Sequence, residues 1–283
     1  MEETVLRERR QLLDLGYRLL GSLAEAEDVV QETYARWYAM PPERRAAVAS
    51  PGGWLMTVAG RICLDVLGSA RVRRERYVGE WLPEPVPADG DPADRVTLDE
   101  SVSMAFLVVL EAMTPAERVA FVLHDVFRYS FAEVGAVVGR SAGACRQLAS
   151  SARRRLRSER PVTPVARQAL VVREFRRAWE RQDIEALVGL LDPGAVASAD
   201  GGGLVPTASG PVVGAAAIAR YAAGILDQVP EMTLEESTVN GRPGLLARRD
   251  GVVITVMAFE VDGGRIRRMW AVRNPEKLKP WQQ

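Results

Sequence analysis

The residues best able to do chemistry in this sequence are cationic rather than catalytic. Between Phe131 and Arg157, Arg146, Arg153, Arg154 and Arg157 recur at helical spacing, with Gln147 and Ser150 among them. Phe131, Val134 and Val138 would pack one short helix and Gly139-Arg140-Ser141 would turn the chain. Cys145, Leu148, Ala149, Ala152 and Leu156 would then pack a second helix, which is helix-turn-helix spacing. In that geometry, residues early in the second helix reach base edges in the major groove, and later basic ones meet phosphates. Arginine pairs bidentately with guanine and glutamine with adenine, so Arg146 and Gln147 are the base-reading candidates. Ser150, Arg153 and Arg154 complete the expected surface. The competing reading is a solvated helix face, since any exposed helix can carry arginines.

Other chemistries have few candidates. His124 is the sole histidine, which removes every site needing two imidazoles and suits a packed structural role. Cys63 and Cys145 each fall at a core-facing place in a helical pattern, so they read as reduced core thiols and not as a disulfide or zinc site. An isomerase-like site would need a carboxylate base and an oxyanion donor converging in an apolar pocket. Asp192 and Asp200 are candidate carboxylates and Tyr221 is the only tyrosine after residue 165, but nothing directs them to one cavity. No catalytic residue, metal ligand or cofactor is assigned.

The elements that must position these residues announce their starts. Ser22 and Glu25 stand three apart as a capping box, and Val29, Val30, Thr33, Tyr34, Trp37 and Tyr38 follow at helical spacing. Glu25, Asp28 and Glu32 share the opposite face as an acidic stripe. Ser50-Pro51 opens another helix, buried through Leu55, Val58, Ile62 and Val66. From Tyr77 to about Asp94 the pattern gives way to VGEWLPEPVPADGDP, an acidic stretch whose prolines bar helix and favour an extended linker. Periodicity resumes near Leu98 and runs to Met113. Thr114-Pro115 with Glu117, and Ser130 with Glu133, supply two further capping boxes.

After a second break at residues 160–164 the character changes. Val165 to Gln182, Ile184 to Leu191 and Gly214 to Leu226 read as helices; Leu245 to Arg249, Val252 to Val261 and Arg265 to Val272 read as strands separated by Asp250-Gly251 and Gly263-Gly264 turns. This is an α+β arrangement with helices over an antiparallel sheet.

The chain has 283 residues with 37 basic and 37 acidic side chains, a neutral balance that is unusual for a nucleic-acid binder. The balance hides clusters. Arg61, Arg71, Arg73, Arg74 and Arg76 form one basic group and the helix-turn-helix arginines another, offset by the acidic stripe and linker. No charged segment with an apolar signal core follows Met1, and no run reaches the roughly 18 apolar residues of a membrane span, so a cytoplasmic protein with no membrane partner is expected.

Three segments carry a family resemblance: GYRLLGSLAEAEDVVQETYARWY, SPGGWLMTVAGRICLDVLGSARVRRERY and MTPAERVAFVLHDVFRYSFAEVGAVVGRSAGACRQLASSARRRLR. In this order they resemble the two conserved domains of extracytoplasmic-function sigma factors of RNA polymerase. WLPEP at Trp81 to Pro85, DGGG at Asp200 to Gly203 and NPEKL at Asn274 to Leu278 further resemble motifs of the sigma-J type, which carries a C-terminal SnoaL-like extension.

The resemblance implies a multidomain chain of two all-α sigma domains, the second a helix-turn-helix, followed by an α+β SnoaL-like or NTF2-like cone-shaped domain. Boundaries are expected at 1–76 for the first, 98–160 for the second and 165–283 for the extension, with 77–97 as linker. Core RNA polymerase and promoter DNA are the implied partners. Asp28, Gln31 and Glu32 would dock on core polymerase; Trp54, Arg61, Asp65, Arg71 and Arg73 would meet the minus-10 element; the second helix of the helix-turn-helix would meet minus-35. For Trp54 core packing is the alternative, and for Arg61 and Asp65 a simple pair along the helix.

Gly68 stands where relatives usually have a basic residue, and Leu204 where lysine commonly follows the glycines, which removes any salt bridge made from that position. Trp81, Leu82, Pro83, Glu84 and Pro85 are expected to lie against Asp200, Gly201, Gly202 and Gly203, with Asn274 and Pro275 beside them and Trp81 as an apolar anchor. The extension would modulate the sigma domains in cis and leaves room for a small ligand of unspecified identity. Two other functions fit parts of the chain: a helix-turn-helix regulator that never joins polymerase, and a DNA-binding module fused to an isomerase-like or cyclase-like enzyme.

Overall fold

The computed structural model describes residues 2–74, 77, 79–88, 96–157 and 163–282. The chain forms two compact units. The first gathers Met1–Arg76, Gly90–Thr97 and Phe106–Glu159; the second gathers Tyr77–Asp89, Leu98–Ala105 and Arg160–Gln283. The proline-rich segment is therefore shared, and its 77–89 part belongs with the C-terminal residues.

The first unit is helical: α1 (Glu2–Leu20), α2 (Leu23–Ala39), α3 (Pro42–Ala46), α4 (Pro51–Arg74), most of α5 (Met104–Glu111), α6 (Pro115–Phe121), α7 (Phe131–Val138) and α8 (Ala142–Arg157). Its starts follow the capping side chains. Ser22 accepts from the Glu25 N–H at 3.4 Å and Ser50 from the Gly53 N–H at 3.3 Å. Thr114 with Glu117, and Ser130 with Glu133, form reciprocal boxes that satisfy otherwise orphaned N–H groups. α1 is the centre of the packing, with Leu12, Leu13, Leu15, Tyr17, Leu19 and Leu20 almost wholly buried.

Two buried charges tie this helical unit together. Arg118 donates to the Leu19 carbonyl at 2.8 Å and to Glu111 at 2.6 Å, so α6 closes the C-terminal end of α1. Burial pushes its guanidinium pKa down to about 9. Asp14 accepts from both the N–H and the hydroxyl of Thr97, at 2.6 and 2.7 Å. A π turn at Val122–Val126, which periodicity alone did not indicate, links α6 to α7. It places His124 Nδ1 2.7 Å from the Tyr129 carbonyl, with its ring stacked on Phe131 at 3.8 Å. Cys63 and Cys145 are free and buried, and burial raises both thiol pKa values.

The second unit contains α9 (Val165–Glu180), α10 (Ile184–Leu190) and α11 (Ala215–Gln228) over a six-stranded sheet. The strands are β1 (Leu191–Asp200), β2 (Val212–Val213), β3 (Thr233–Val239), β4 (Arg242–Arg249), β5 (Val252–Asp262) and β6 (Arg265–Val272). Their order is β2-β1-β6-β5-β4-β3, antiparallel except that β1 runs parallel to β6, so the sheet is mixed. The edge strand β3 was not legible because Thr233, Glu235, Glu236 and Thr238 are exposed and leave only Leu234 and Val239 as buried positions.

Alternation assigns Leu245, Ala247, Met257, Phe259 and Met269 to the face under the helices, where they join Phe175, Trp179 and Ile218 in one core. The intervening residues Leu246, Val256, Ala258, Trp270 and Val272 are also buried, so both faces are covered. Among the described residues no helix is long and apolar enough to cross a membrane, and no cluster of side chains could hold a metal ion.

Candidate nucleic-acid interface and linker clamp

In the helix-turn-helix, the Ser141 hydroxyl accepts from the Ala144 N–H at 3.2 Å and starts α8. Cys145, Ala149 and Ala152 are fully buried, which turns Arg146, Gln147, Ser150 and Arg154 to the exposed side. Arg146 lies over the Phe131 ring at 5.3 Å, which steadies its stem. Arg153 differs from its neighbours: it is half-buried and forks onto Asp125, at 2.7 and 3.1 Å. A bidentate pair commits the guanidinium to holding α8 on the π turn.

On α4, Trp54 is half-buried against Trp37, with ring centroids 5.2 Å apart. Arg61 does not pair with Asp65; its Nε and Nη2 both donate to the Ala136 carbonyl on α7, at 3.2 and 2.8 Å. Gly60, the preceding residue, lets the two helices meet: a Cβ there would come within 2.8 Å of Val137 Cγ1. Asp65 is exposed, Gly68 has open space around it, and Arg71 and Arg73 lie in the last turns of α4, their side chains outside the described residues. On α2, burial of Ala26, Val29, Val30 and Thr33 leaves Asp28, Gln31 and Glu32 exposed together, with Glu32 paired to Arg36 at 2.9 Å.

The densest polar site is in the second unit, around Asp200 at the end of β1. Its carboxylate is wholly buried and accepts from the Tyr77 hydroxyl at 2.6 Å, the Leu82 N–H at 3.0 Å, the Gly202 N–H at 2.9 Å and Lys277 Nζ at 2.6 Å. Its backbone carbonyl accepts from the Arg273 and Asn274 N–H groups. Asn274 donates to the Tyr77 hydroxyl at 2.9 Å, and Lys277 donates to the Leu82 carbonyl. Gly202 has φ +64°, and a Cβ there would sit 2.5 Å from the Asn274 amide nitrogen. Farther along, Asn240 exchanges hydrogen bonds with Val86 and donates to the Val102 carbonyl, and the Trp281 indole donates to the Pro85 carbonyl.

The structure thus brings WLPEP, DGGG and NPEKL together but redistributes their roles. The deep apolar anchors are Leu82 and Val86, at 2% and 3% exposure, with Pro83, Glu84 and Pro85 also buried. Trp81 is instead half-buried, with Lys277 Nζ 4.2 Å from its ring centroid in a cation–π contact. Leu204 is 63% exposed and takes no part, yet Asp200 keeps a salt bridge because Lys277 supplies it. Gly201 is buried, Gly203 and Pro275 are exposed. Tyr77, Asn240, Lys277 and Trp281 were missed as site residues. For Lys277 a signal existed: lysine occurs only at 277 and 279 in a chain whose other cations are all arginine.

Residues 4–76 match the sigma-70 region 2 family, residues 103–156 the sigma-70 region 4 family, and residues 172–272 the SnoaL-like domain family. The chain is 37% identical to the ECF RNA polymerase sigma factor SigJ of Mycobacterium tuberculosis, across 95% of this chain and 90% of that one. The chain belongs to the extracytoplasmic-function sigma factors. It is also 34% identical to the probable sigma factor SigI of the same species, over 96% of this chain and 92% of that one. The crystal structure of SigJ superposes with a TM-score of 0.81 at 34% identity, covering 99% of both chains. In this sigma factor, Tyr77, Leu82, Asn274 and Lys277 all fall outside the three matched regions, so the clamp on Asp200 is built largely from the segments between and after them.

Proposed function

We propose that this sigma factor binds core RNA polymerase through the exposed Asp28, Gln31 and Glu32 face of α2 and directs it to promoters. In this reading Arg146, Gln147, Ser150 and Arg154 read the minus-35 element, and Trp54, Arg61, Asp65, Arg71 and Arg73 contact minus-10. The supporting observation is that α8 buries Cys145, Ala149 and Ala152 on one face and turns its arginine and glutamine outward from a capped helix-turn-helix. Arg153 supports the surface through Asp125 and is not among the base readers. The work is cytoplasmic, where polymerase and promoter DNA meet.

The α4–α7 contact adds a condition. Elements named minus-10 and minus-35 lie about 25 base pairs apart, roughly 85 Å of helix axis at 3.4 Å per pair. Arg61 is 2.8 Å from the Ala136 carbonyl. The two helical modules must therefore part before both elements are engaged, and the packed arrangement is the resting one.

The C-terminal domain acts in cis as a modulator and not as an enzyme. Asp200 is consumed by the clamp, and Asp192 accepts from the Gly194 N–H at 2.9 Å on the surface. Neither lines the apolar cavity between α11 and the sheet, and among the described residues no carboxylate does. The test is runoff transcription with purified core polymerase. Specific initiation by the full chain is expected, and initiation altered by Asp200→Asn would tie the clamp to output. An absence of specific initiation on any promoter of a genomic library would overturn the reading.

A further inference from the structure

The C-terminal unit holds a cavity of about 80 Å³ between α11 and the helix-covered face of the sheet. Its deep wall is apolar, formed by Trp179, Ile218, Met232, Met257 and Met269. The Trp179 indole N–H is spent on the Ala222 carbonyl at 2.6 Å, so that ring offers only apolar surface. Among the described residues no aspartate, glutamate, histidine or lysine lines the space.

Four polar residues interrupt this lining: Ser198, Thr255, Arg273 and Tyr221. Thr255 is 8% exposed, and its hydroxyl has no hydrogen-bond partner among the described residues. A hydroxyl that lines the cavity and has no protein partner there is free to bond a ligand group. The pairings Thr255↔Ala247 and Met257↔Ala271 put Thr255 on the cavity face. Continuing the register from Val256↔Val272 sets it opposite Arg273. Arg273 commits Nη1 to the Pro206 carbonyl at 2.7 Å, and the rest of its fork has no carboxylate partner among the described residues. Tyr221, at 39% exposure, stands at the rim.

We propose that this cavity binds a small monocarboxylic acid with an apolar body. Its carboxylate would pair with Arg273 and accept from the Thr255 hydroxyl, while its hydrocarbon rests on the methionines and Trp179. An unmatched guanidinium beside an unpartnered hydroxyl selects an anion, since each contributes a charge-assisted bond. The apolar wall offers nothing to a second charge. The volume limits the body: about half of the roughly 150 Å³ that accommodates benzene suits a short branched chain.

The binding site stands independently of the promoter reading; only its consequence rests on it. The Arg273 N–H donates to the Asp200 carbonyl at 2.7 Å, and the next residue, Asn274, holds Tyr77. A carboxylate on Arg273 would sit one residue from the clamp on the linker.

The test is calorimetric titration of the full chain with isovalerate, its uncharged analogue isovaleramide, and hexanoate. Saturable isovalerate binding is expected, roughly tenfold tighter than isovaleramide and tighter than the longer hexanoate. Thr255→Val keeps the shape and removes the hydroxyl, and should weaken isovalerate severalfold with an unchanged melting temperature of the free protein. Ala271→Leu, which fills the cavity, should abolish binding. No saturable binding, equal affinity for acid and amide, or isovalerate affinity unchanged by Thr255→Val would each overturn the proposal. Because the readout is binding, failure of promoter-directed transcription would leave these outcomes as they stand.

Discussion

Lys277 Nζ meets the buried Asp200 carboxylate at 2.6 Å while standing 4.2 Å from the Trp81 ring centroid, so one ammonium joins strand end, linker and C-terminal tail. Lys277→Met should destabilise the C-terminal unit by about 3–5 kcal/mol, because it leaves a buried carboxylate short of its counter-charge. The urea midpoint measures the cost. The double variant Lys277→Met/Asp200→Asn should lose less than the sum of the single ones, as coupled residues do.

The same carboxylate makes the clamp alkali-sensitive. Burial first, then the hydrogen bond to Asp200 and its charge, raise the Tyr77 pKa above its ordinary value. The sign follows: a raised folded pKa means the stabilisation is complete below the unfolded tyrosine value of about 10 and is lost as pH rises above it. Urea midpoints should fall between about pH 9.5 and 11 in the parent, and Tyr77→Phe should flatten that slope at a lower starting stability.

Arg146, Gln147 and Arg153 should separate on DNA and on folding. Gln147→Ala should relax specificity at one base pair by about 1–3 kcal/mol, and Arg146→Ala should weaken binding by a similar amount. Arg153→Met should chiefly lower the melting temperature, since its fork is spent on Asp125. Binding isotherms against a base-substituted minus-35 series, with thermal denaturation in parallel, distinguish the cases.

Gly60 controls the approach of α4 to α7. Gly60→Ala would place a Cβ within 2.8 Å of Val137 and should cost about 1–3 kcal/mol of packing between the two helical modules. If packed modules are the resting state, Gly60→Ala should raise promoter affinity while lowering the melting temperature. Reduced affinity in this variant would count against parting of the modules.

Local signals fixed much of this molecule. Ser22, Ser50, Thr114, Ser130 and Ser141 each accept the N–H of the residue three positions on, because a cap is a contact within one turn and needs nothing distant. The spacing of Cys145, Ala149 and Ala152 likewise determined which side of α8 carries Arg146 and Gln147. Residue types and order therefore gave the helix-turn-helix, the family, and the three motifs of the clamp.

Partner choice across long separations belonged to the tertiary structure. Arg153 lies on the same helix as the other arginines, and only the π turn, which brings Asp125 beside it, ties its guanidinium to the protein. Arg61 and Asp65 have the spacing of a pair, yet the Ala136 carbonyl, 75 residues away, takes the guanidinium. The same holds for Lys277 in place of a cation at Leu204, and for Leu82 in place of Trp81 as the buried anchor. Hydrogen bonds and ion pairs are satisfied by whatever donor the fold brings within about 3 Å. Spacing along the chain determines those distances only within a helix turn or a strand pairing.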